Sequence, residues 1–292
     1  MKVAGFTFIK NAVKNDYPIV EAITSILSLC DEFIVAVGNG DDDTRNLIVS
    51  INSPKIKIID TVWNDDLKEG GKVFALETDK AFAAISKDVD WAFYIQGDEC
   101  VHEKYLPIIK AEMEATFSNP RVEGLLFKYL HFYGSYDYVG QSRRWYRREI
   151  RIIRRNVNVQ SYRDAQGFRI DNRKIKVKLI DAYIYHYGWV KPPEGLKNKL
   201  VNFNQFYQTP EWIETNLPKT FEFDYSNADR LVYFDGTHPK AILKRIEISN
   251  WKFTIDPTSL NKKMSLRRKV LQKVEDLTGW RVSEYRNYKI VK

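Results

Sequence analysis

The sequence contains few cysteines. Cys30 and Cys100 are the two cysteines in 292 residues, so a zinc site ligated by cysteines alone is excluded by number. Cys30 follows the apolar helical positions Ile19, Ile23 and Ile26, and it is predicted to pack in the core. So few thiols are typical of a reduced compartment, which predicts a cytoplasmic protein.

Long hydrophobic runs are also missing. No window of about 18 residues is both apolar and uncharged, so no transmembrane helix is predicted. The first residues, Met1 to Phe6, run directly into a strand-like segment. They lack an apolar region followed by a cleavage site, so we expect no signal peptide.

Two glycine motifs that bind nucleotide phosphates are absent. The first strand-like segment continues into Lys10-Asn11-Ala12-Val13-Lys14, which is neither GxGxxG nor GxxxxGK[ST]. A dinucleotide fold of the usual kind and a P-loop are therefore disfavoured. A nucleotide bound here would need its phosphates held by a metal ion and side chains.

Positive charge is abundant. The formal net charge is +8, and much of it lies in two runs, Arg143–Arg155 and Lys262–Lys273. Nucleic acid, an anionic membrane or a phosphorylated substrate each fit such runs, and so does a solvated basic surface. No nucleic-acid-binding module is recognisable, so a nucleic-acid partner is not predicted.

The first hundred residues alternate between strand and helix patterns. Strands are predicted at Val3–Ile9, Phe33–Val37, Ile56–Asp60 and Trp91–Ile95, and amphipathic helices fill the gaps between them. This order predicts right-handed crossovers and a mostly parallel sheet, which is an α/β fold.

The pattern changes after Cys100. Further strands are predicted at Gly124–Phe132, Ile150–Arg154 and Lys176–Tyr187, and helices at 194–207 and Leu266–Leu277. No linker separates the halves, so residues 1–240 are predicted to form one domain, with a nucleotide-binding half (1–100) and an acceptor half (101–240). Residues 241–292 form a basic, partly helical C-terminal extension.

The strand Trp91–Ile95 ends abruptly in the acidic sequence Gln96-Gly97-Asp98-Glu99. Open α/β sheets bind ligands at the carboxyl ends of their strands. Carboxylates there are costly to leave unpaired, and their oxygens suit Mg²⁺ or Mn²⁺, ions that often hold phosphates. The alternative is a solvated acidic turn.

Several segments in order along the chain resemble the family 2 glycosyltransferases, which have the GT-A fold. The resemblance covers about residues 3–190. It is carried by Phe8-Ile-Lys-Asn11, Ser25-Ile-Leu27, Asp31-Glu-Phe-Ile-Val35, Gly40-Asp-Asp-Asp-Thr44, Gly70-Gly-Lys72, Glu77-Thr-Asp79, Gln96-Gly-Asp-Glu99 and Ile184-Tyr-His-Tyr-Gly188. The fold implied is GT-A, a Rossmann-like, mostly parallel mixed sheet flanked by helices.

Two departures from the family pattern stand out. The acidic motif is usually D-x-D-D, and here its first acid is the uncharged Gln96. Val37 and Gly38 occupy positions where many relatives carry Asp. These departures favour an alternative reading, in which the chain is a catalytically weak relative that binds sugar nucleotides or glycans.

The resemblance implies a metal-dependent inverting glycosyltransferase that uses a nucleoside diphosphate sugar, with a UDP-sugar favoured. The acceptor would be a saccharide or a lipid-linked glycan, in cell-surface glycan synthesis. The implied ligands of Mn²⁺ or Mg²⁺ are Asp98, Glu99 and His186, where Glu99 alternatively orients the loop and His186 alternatively packs among aromatic residues. The implied donor-binding residues are Phe8, Lys10, Asn11, Asn39, Asp42, Gly71, Lys72, Asp79, Gln96, Gly97 and Asp98.

An inverting transfer also needs a base that takes the proton of the acceptor hydroxyl. Asp164 matches best by position, and its alternative is a turn or capping role. Glu149 is the second candidate, and its alternative is an ion pair with neighbouring arginines.

The basic helix near the C-terminus suggests a possible partner. Leu266, Val270, Leu271 and Val274 lie among the basic residues of Lys262–Lys273, and this pattern predicts peripheral contact with the inner face of an anionic membrane. A helix docked on the core is the alternative.

Overall fold

In the computed structural model the first half of the chain alternates strand and helix as predicted. The structure describes residues 1–64, 67, 70–155, 158–204, 207–209, 212, 214–215, 228, 230–260 and 265–291. The first elements are β1 (Val3–Ile9), α1 (Ile19–Ile26), β2 (Glu32–Gly38), α2 (Thr44–Val49), β3 (Ile56–Thr61), α3 (Lys72–Ala83) and β4 (Trp91–Tyr94). A short 3-10 helix, Leu27–Leu29, extends α1.

These four strands form the parallel part of the sheet, in the order β3-β2-β1-β4. Each neighbouring pair is parallel, so the carboxyl ends of all four strands meet at one edge. Both faces are covered, since alternate residues of β2 enter different cores. Phe33 packs in the core that contains α1, and Ile34 packs in the core that contains α3.

The second half adds strands of both directions to the sheet. Its elements are β5 (Glu99–Val101), a 3-10 helix (Glu103–Tyr105), α4 (Leu106–Thr116), β6 (Gly124–Tyr133), β7 (Tyr138–Gly140), β8 (Arg148–Arg154), β9 (Val159–Tyr162), β10 (Gly167–Ile170), β11 (Arg173–Trp189), α5 (Pro193–Asn204), β12 (Leu231–Tyr233), α6 (Lys240–Glu247), α7 (Pro257–Leu260), α8 (Leu266–Thr278) and β13 (Tyr288–Ile290).

The sheet continues from β4 through β8, β6, β11, β10 and β9. Strand β8 is antiparallel to both β4 and β6, while β6 and β11 are parallel. The fold is therefore mixed α/β, with a central mixed sheet flanked by helices, and the predicted fold class is confirmed. Strands β5, β7, β9, β10, β12 and β13 were not predicted, because three or four residues are too few to show a period.

The C-terminal segment contains the predicted helix as α8 (Leu266–Thr278) and also joins the main sheet. Strand β13 pairs in parallel with β11. Glu275 of α8 binds the guanidinium groups of Arg143 and Arg281, and Glu284 binds Arg147. The boundary predicted at residue 240 stays a prediction. Residues 261–264, at the start of the basic run, lie outside the described residues.

Four arginines of the run between residues 143 and 155 make structural contacts. Arg154 donates to the carbonyl oxygens of Thr116 and Val122, and Arg155 donates to that of Ile85. Together with the ion pairs of Arg143 and Arg147, these contacts fasten β8 and the preceding loop to the rest of the molecule.

Candidate active site

The parallel edge of the sheet brings together residues that follow different strands. Asn11, beyond β1, has φ 55°, and its side-chain Oδ1 accepts a hydrogen bond from the backbone N–H of Asp41 at 3.0 Å. Asn39, beyond β2, accepts one from the backbone N–H of Trp63 at 3.1 Å. Two of the predicted donor-binding residues therefore shape the loops that border this edge.

An aromatic cluster of Phe8, Trp63 and Phe74 lies at the same edge. Phe8 stacks on Phe74 with ring centroids 5.8 Å apart and lies 5.8 Å from the Trp63 ring. The Lys10 Nζ lies 5.4 Å from the Trp63 centroid. A Cβ on Gly38 would lie 2.3 Å from Trp63 Nε1. The indole thus takes the space that a side chain at position 38 would need, which explains one departure from the family pattern.

Two predicted donor-binding residues instead hold local structure. Asp42 accepts from the backbone N–H groups of Thr44 and Lys14 at 3.0 and 2.8 Å. Asp79 accepts from the backbone N–H of Ser161 at 2.7 Å, which joins α3 to β9. Burial raises the pKa of Asp79 above its usual value. The structure gives these two side chains supporting roles at the site's border.

The turn that carries Asp164 lies against two of the predicted donor-binding residues, Gln96 and Gly71. The Gln96 Nε2 donates to the carbonyl oxygen of Ala165 at 3.3 Å. Gly71 has φ 69°, and a Cβ there would lie 2.8 Å from Asp164 Cβ. Tyr207 donates from its hydroxyl to Asp164 Oδ2 at 3.1 Å. The strand-end loop, the turn before α3 and the predicted base therefore converge.

The turn that carries Asp164 is strained. Ala165 has φ 61° and Arg163 has φ 57°, a region that residues with a side chain rarely adopt. Such backbone strain is often found at functional sites. Here it directs the turn toward Gln96 and Gly71.

Asp98 lies in a buried cluster of charges. Lys199 of α5 donates to Asp98 Oδ2 at 3.0 Å and to the carbonyl oxygen of Gly188 at 2.8 Å. His186 Nε2 lies 3.7 Å from the same carboxylate oxygen. Burial by itself would raise the pKa of Asp98, but Lys199 and His186 lower it below its usual range. Asp98 is therefore ionised at neutral pH.

Pairing between strands brings His186 to the acidic loop. In the antiparallel pair of β5 and β11, His186 lies opposite Glu99, and the backbone N–H of Tyr187 donates to the Asp98 carbonyl at 2.7 Å. Tyr185 and Tyr187, its neighbours in sequence, pack in a different core with Phe132. His186 is thus directed toward Asp98, with Nε2 3.7 Å from its carboxylate.

The proton positions of His186 follow from its partner. His131 Nε2 lies 2.8 Å from the carbonyl oxygen of Tyr146, so this nitrogen carries the proton. In neutral His131 the other nitrogen, Nδ1, is then an acceptor, and it lies 3.3 Å from His186 Nδ1. His186 donates through Nδ1 and keeps a lone pair on Nε2 that faces Asp98. Burial lowers the pKa of His186, which favours the neutral form.

Glu99 is directed away from Asp98 into a buried ion pair. Both of its oxygens bind the Arg151 guanidinium, at 2.8 and 2.7 Å. Tyr129 donates its hydroxyl to Oε1 at 2.8 Å, and the Gln96 backbone N–H donates to Oε2 at 3.1 Å. Glu99 and Arg151 are 0 and 1% exposed at their side chains. These contacts favour loop orientation, the alternative role predicted for Glu99.

The predicted divalent metal ion has a poor set of ligands in this arrangement. Among the described residues, no group of three or more His, Cys, Asp or Glu side chains is placed to hold a metal ion. Asp98 is already paired with Lys199, Glu99 with Arg151, and Gln96 is uncharged. As placed, these side chains do not fit Mn²⁺ or Mg²⁺. The ion stays a prediction.

Glu149 lies buried without an arginine partner. Burial raises the pKa of Glu149 to about 8, and the nearby carboxylates of Glu99 and Asp164 add to the effect of burial. Within the described part of the chain, its Oε2 has no hydrogen-bond partner. A carboxyl group with this pKa carries a proton at neutral pH, so it cannot accept another one. Of the two predicted bases, Asp164 is therefore favoured.

No role was predicted for Lys199, Tyr129 or His131, while Arg151 and Gly188 were noted as members of the arginine run and of the late histidine motif. Lys199 follows the Pro192-Pro193 pair within an ordinary helical pattern, so no local signal distinguishes it. Gly188 lies two residues after His186, and a Cβ there would lie 2.5 Å from Asp98 Oδ2. Only a glycine allows this approach.

No protein-family model and no curated protein sequence matches the chain. Solved structures similar to it include S. aureus TarS, at 15% identity over 69% of this chain and 39% of TarS, with a TM-score of 0.41. TarS 1–349 in complex with UDP matches at 16% identity over 69% of this chain and 64% of the TarS chain, with a TM-score of 0.42. The chain thus spans less than two thirds of the length of each TarS structure.

A third similar structure is glucosyl-3-phosphoglycerate synthase from Mycobacterium tuberculosis, in complex with Mn²⁺, UDP and phosphoglyceric acid. It matches at 17% identity over 44% of this chain and 43% of the synthase, with a TM-score of 0.30.

The Glu99–Arg151 pair is expected to be essential for stability. Arg151→Met leaves Glu99 charged and buried, and we expect it to lower the free energy of unfolding in urea by about 3–5 kcal/mol. The matched control is Arg173→Met, which breaks an equally bidentate pair with Glu123. Arg173 is 46% exposed at its side chain, so we expect a loss of about 1 kcal/mol or less. Equal losses in the two variants would contradict this account.

The raised pKa of Glu149 predicts a pH-dependent effect on stability. Between its unfolded pKa of 4.5 and its folded pKa of about 8, the folded protein binds a proton that the unfolded chain lacks. The stability that this protonated carboxyl group contributes is complete at low pH and is lost as the pH rises through that interval. Glu149→Gln has no ionisable group at this position, so its free energy of unfolding lacks this pH dependence.

We therefore compare the free energies of unfolding in urea of Glu149→Gln and the wild type. We expect the difference, variant minus wild type, to increase by about 2–3 kcal/mol as the pH is raised from 5 to 7. A stability difference that stays constant over this range would show that Glu149 is ionised in the folded protein.

Proposed function

We propose that the protein is a glycosyltransferase that transfers a sugar from a nucleoside diphosphate sugar, a UDP-sugar being favoured, to a saccharide or lipid-linked acceptor. One observation carries the proposal. At the carboxyl edge of a parallel sheet, a charge cluster around Asp98 adjoins a strained turn that holds the candidate base Asp164. Ligands of open α/β sheets bind at this edge.

The donor fits the edge in an extended orientation. Its nucleoside would lie between the aromatic cluster of Phe8, Trp63 and Phe74 and the loops that carry Asn11 and Asn39. The diphosphate would lie at the loop of Gln96 to Asp98, where Lys199 supplies positive charge. Gly71 lets the chain approach Asp164 closely, and the sugar would lie between the loop and the base.

The chemistry is a single displacement with inversion. The acceptor hydroxyl oxygen attacks the anomeric carbon, the bond from that carbon to the diphosphate oxygen breaks, and the hydroxyl proton passes to the Asp164 carboxylate. The bonding electrons leave with the diphosphate. The Tyr207 hydroxyl, bound to Asp164 Oδ2, holds the carboxylate in place for this transfer.

A second candidate function is sugar-nucleotide binding without turnover. The observation that favours it is Gln96, an uncharged residue whose amide is bound to Ala165. Both functions require the same donor site. They differ in whether a bound donor releases UDP.

The C-terminal helix α8 presents an unusual surface that suits an anionic membrane. Its buried residues are Gln272 and Glu275, while Leu266, Val270 and Leu277 are 79, 56 and 77% exposed. Arg267, Arg268, Lys269 and Lys273 are exposed beside them. Apolar and cationic groups together bind the surface of a bilayer that contains anionic lipids. We propose this contact, which would bring the site close to a lipid-linked acceptor.

No described helix is long and apolar enough to cross a bilayer. Leu271 and Val274, also predicted to face lipid, are half-buried against the protein.

Asp164→Asn tests the assignment of the base. We expect it to slow UDP release from the UDP-sugar that the wild type uses by about 100-fold or more, because the acceptor proton has no base. Affinity for UDP, measured by calorimetry, is expected to stay unchanged. UDP release is measured over a panel of UDP-sugars with and without glycan acceptors.

Asp171→Asn is the matched control, because it makes the same change in an exposed turn where φ is 48°, and it is expected to keep wild-type turnover. Full turnover in Asp164→Asn would remove Asp164 from the mechanism. UDP binding by the wild type without turnover of any donor would favour the second function.

Flotation with vesicles tests the membrane surface. The triple variant Leu266→Ser, Val270→Ser and Leu277→Ser is expected to lose most of its flotation with phosphatidylglycerol vesicles, because its apolar contact is removed. The control is the double variant Val49→Ser and Val62→Ser, at valines that are 53 and 72% exposed. It is expected to float like the wild type. Equal flotation of the triple variant and the wild type would contradict the proposal.

A further inference from the structure

A cation already lies against the Asp98 carboxylate of the acidic loop. Asp98 Oδ2 and the His186 Nε2 lone pair lie 3.7 Å apart. The Lys199 Nζ lies 3.0 Å from Asp98 Oδ2 and is held by the Gly188 carbonyl at 2.8 Å. The lysine side chain is 14% exposed, so this is an enclosed contact and not a surface ion pair.

The net charge of this site is more positive by two units than that of an acidic metal motif without its ion. Gln96 in place of an acid removes one negative charge, and Lys199 adds one positive charge. Their sum equals the charge that a divalent ion would bring. A dication placed beside the ammonium of Lys199 would be repelled in a buried site where charges interact strongly.

We propose that Lys199 takes the role expected of a divalent metal ion, and that its ammonium binds the diphosphate of the sugar nucleotide and stabilises the charge on the leaving group. Asp98 is then a positioning residue that holds the lysine. The inference rests on the proposed function, because it concerns the donor of that reaction.

The surroundings of Lys199 keep it charged and directed into the site. Its ammonium lies 5.3 Å from the ring centroid of Tyr17, a distance at which a cation is attracted to an aromatic face. Burial alone would lower the pKa of Lys199, but the carboxylate of Asp98 raises it above its usual value. Gly188 leaves room for Lys199 and Asp98 to meet, since a Cβ there would lie 2.5 Å from Asp98 Oδ2.

A second lysine lies behind the first. Lys191 is fully buried, donates to the carbonyl oxygen of Asp16 and lies 4.9 Å from the Tyr17 centroid. Lys191 and Lys199 thus flank the same ring. Burial and the nearby ammonium of Lys199 lower the pKa of Lys191 to about 7, so Lys191 adds only part of a positive charge at neutral pH.

The test is UDP binding by calorimetry, in EDTA and in Mn²⁺. We expect the wild type to bind UDP in EDTA, with little change on adding Mn²⁺. Lys199→Gln is expected to weaken binding in EDTA by about 10- to 100-fold, because a hydrogen bond to a charged group is lost. Lys199→Arg should restore part of the affinity. Lys110→Gln, on the exposed face of α4, is the control and should bind like the wild type.

Asp98→Asn separates the two explanations even if Lys199→Gln folds poorly. If Lys199 is the binding cation and Asp98 positions it, the variant weakens UDP binding to the same extent in EDTA and in Mn²⁺. If Asp98 is a metal ligand, the variant loses Mn²⁺-dependent binding.

The inference is overturned if the wild type binds UDP in Mn²⁺ but not in EDTA, or if Lys199→Gln binds as tightly as the wild type. Absence of UDP binding by the wild type in both conditions would refute the proposed function itself.

Discussion

The buried ion pair of Glu99 and Arg151 determines how the rest of the site is arranged. It joins the loop after β4 to the middle of β8, and Tyr129 adds a contact from β6. With Glu99 directed into the sheet, the side chain of its neighbour Asp98 meets His186 and Lys199 instead. An unpaired charge at position 99 would be costly in this interior. The position of Asp98 at the open edge therefore depends on a pair that takes no part in binding.

The sequence was sufficient for the features that depend on local patterns. The four parallel strands were predicted from apolar runs, and Asp98 was predicted at a site because it follows one of them. The sequence did not distinguish the roles of Asp98 and Glu99. Two adjacent acids look alike in sequence, and only the arginine opposite one of them makes them different. Arg151 itself was predicted within a basic run, where nothing indicated which guanidinium would be buried.

Lys199 was beyond prediction for a similar reason. It is about one hundred positions from Asp98 along the chain, on a helix whose pattern is ordinary. The contact arises only when α5 packs over the edge of the sheet. Gln96 was a partial indication, since the loss of an acid from the motif suggests that other charges surround Asp98. The fold supplies such a charge, because Lys199 brings a cation to a motif that has lost an anion.

The central claim is that an ammonium group, and not a divalent ion, meets the diphosphate at Asp98. Crystals grown with UDP and MnCl₂ test it most directly, by anomalous scattering at the manganese edge. The account predicts UDP at the carboxyl edge, a phosphate oxygen within hydrogen-bond distance of Lys199 Nζ, and no manganese peak beside Asp98. A manganese peak between Asp98, His186 and the diphosphate, with Lys199 displaced, would contradict it.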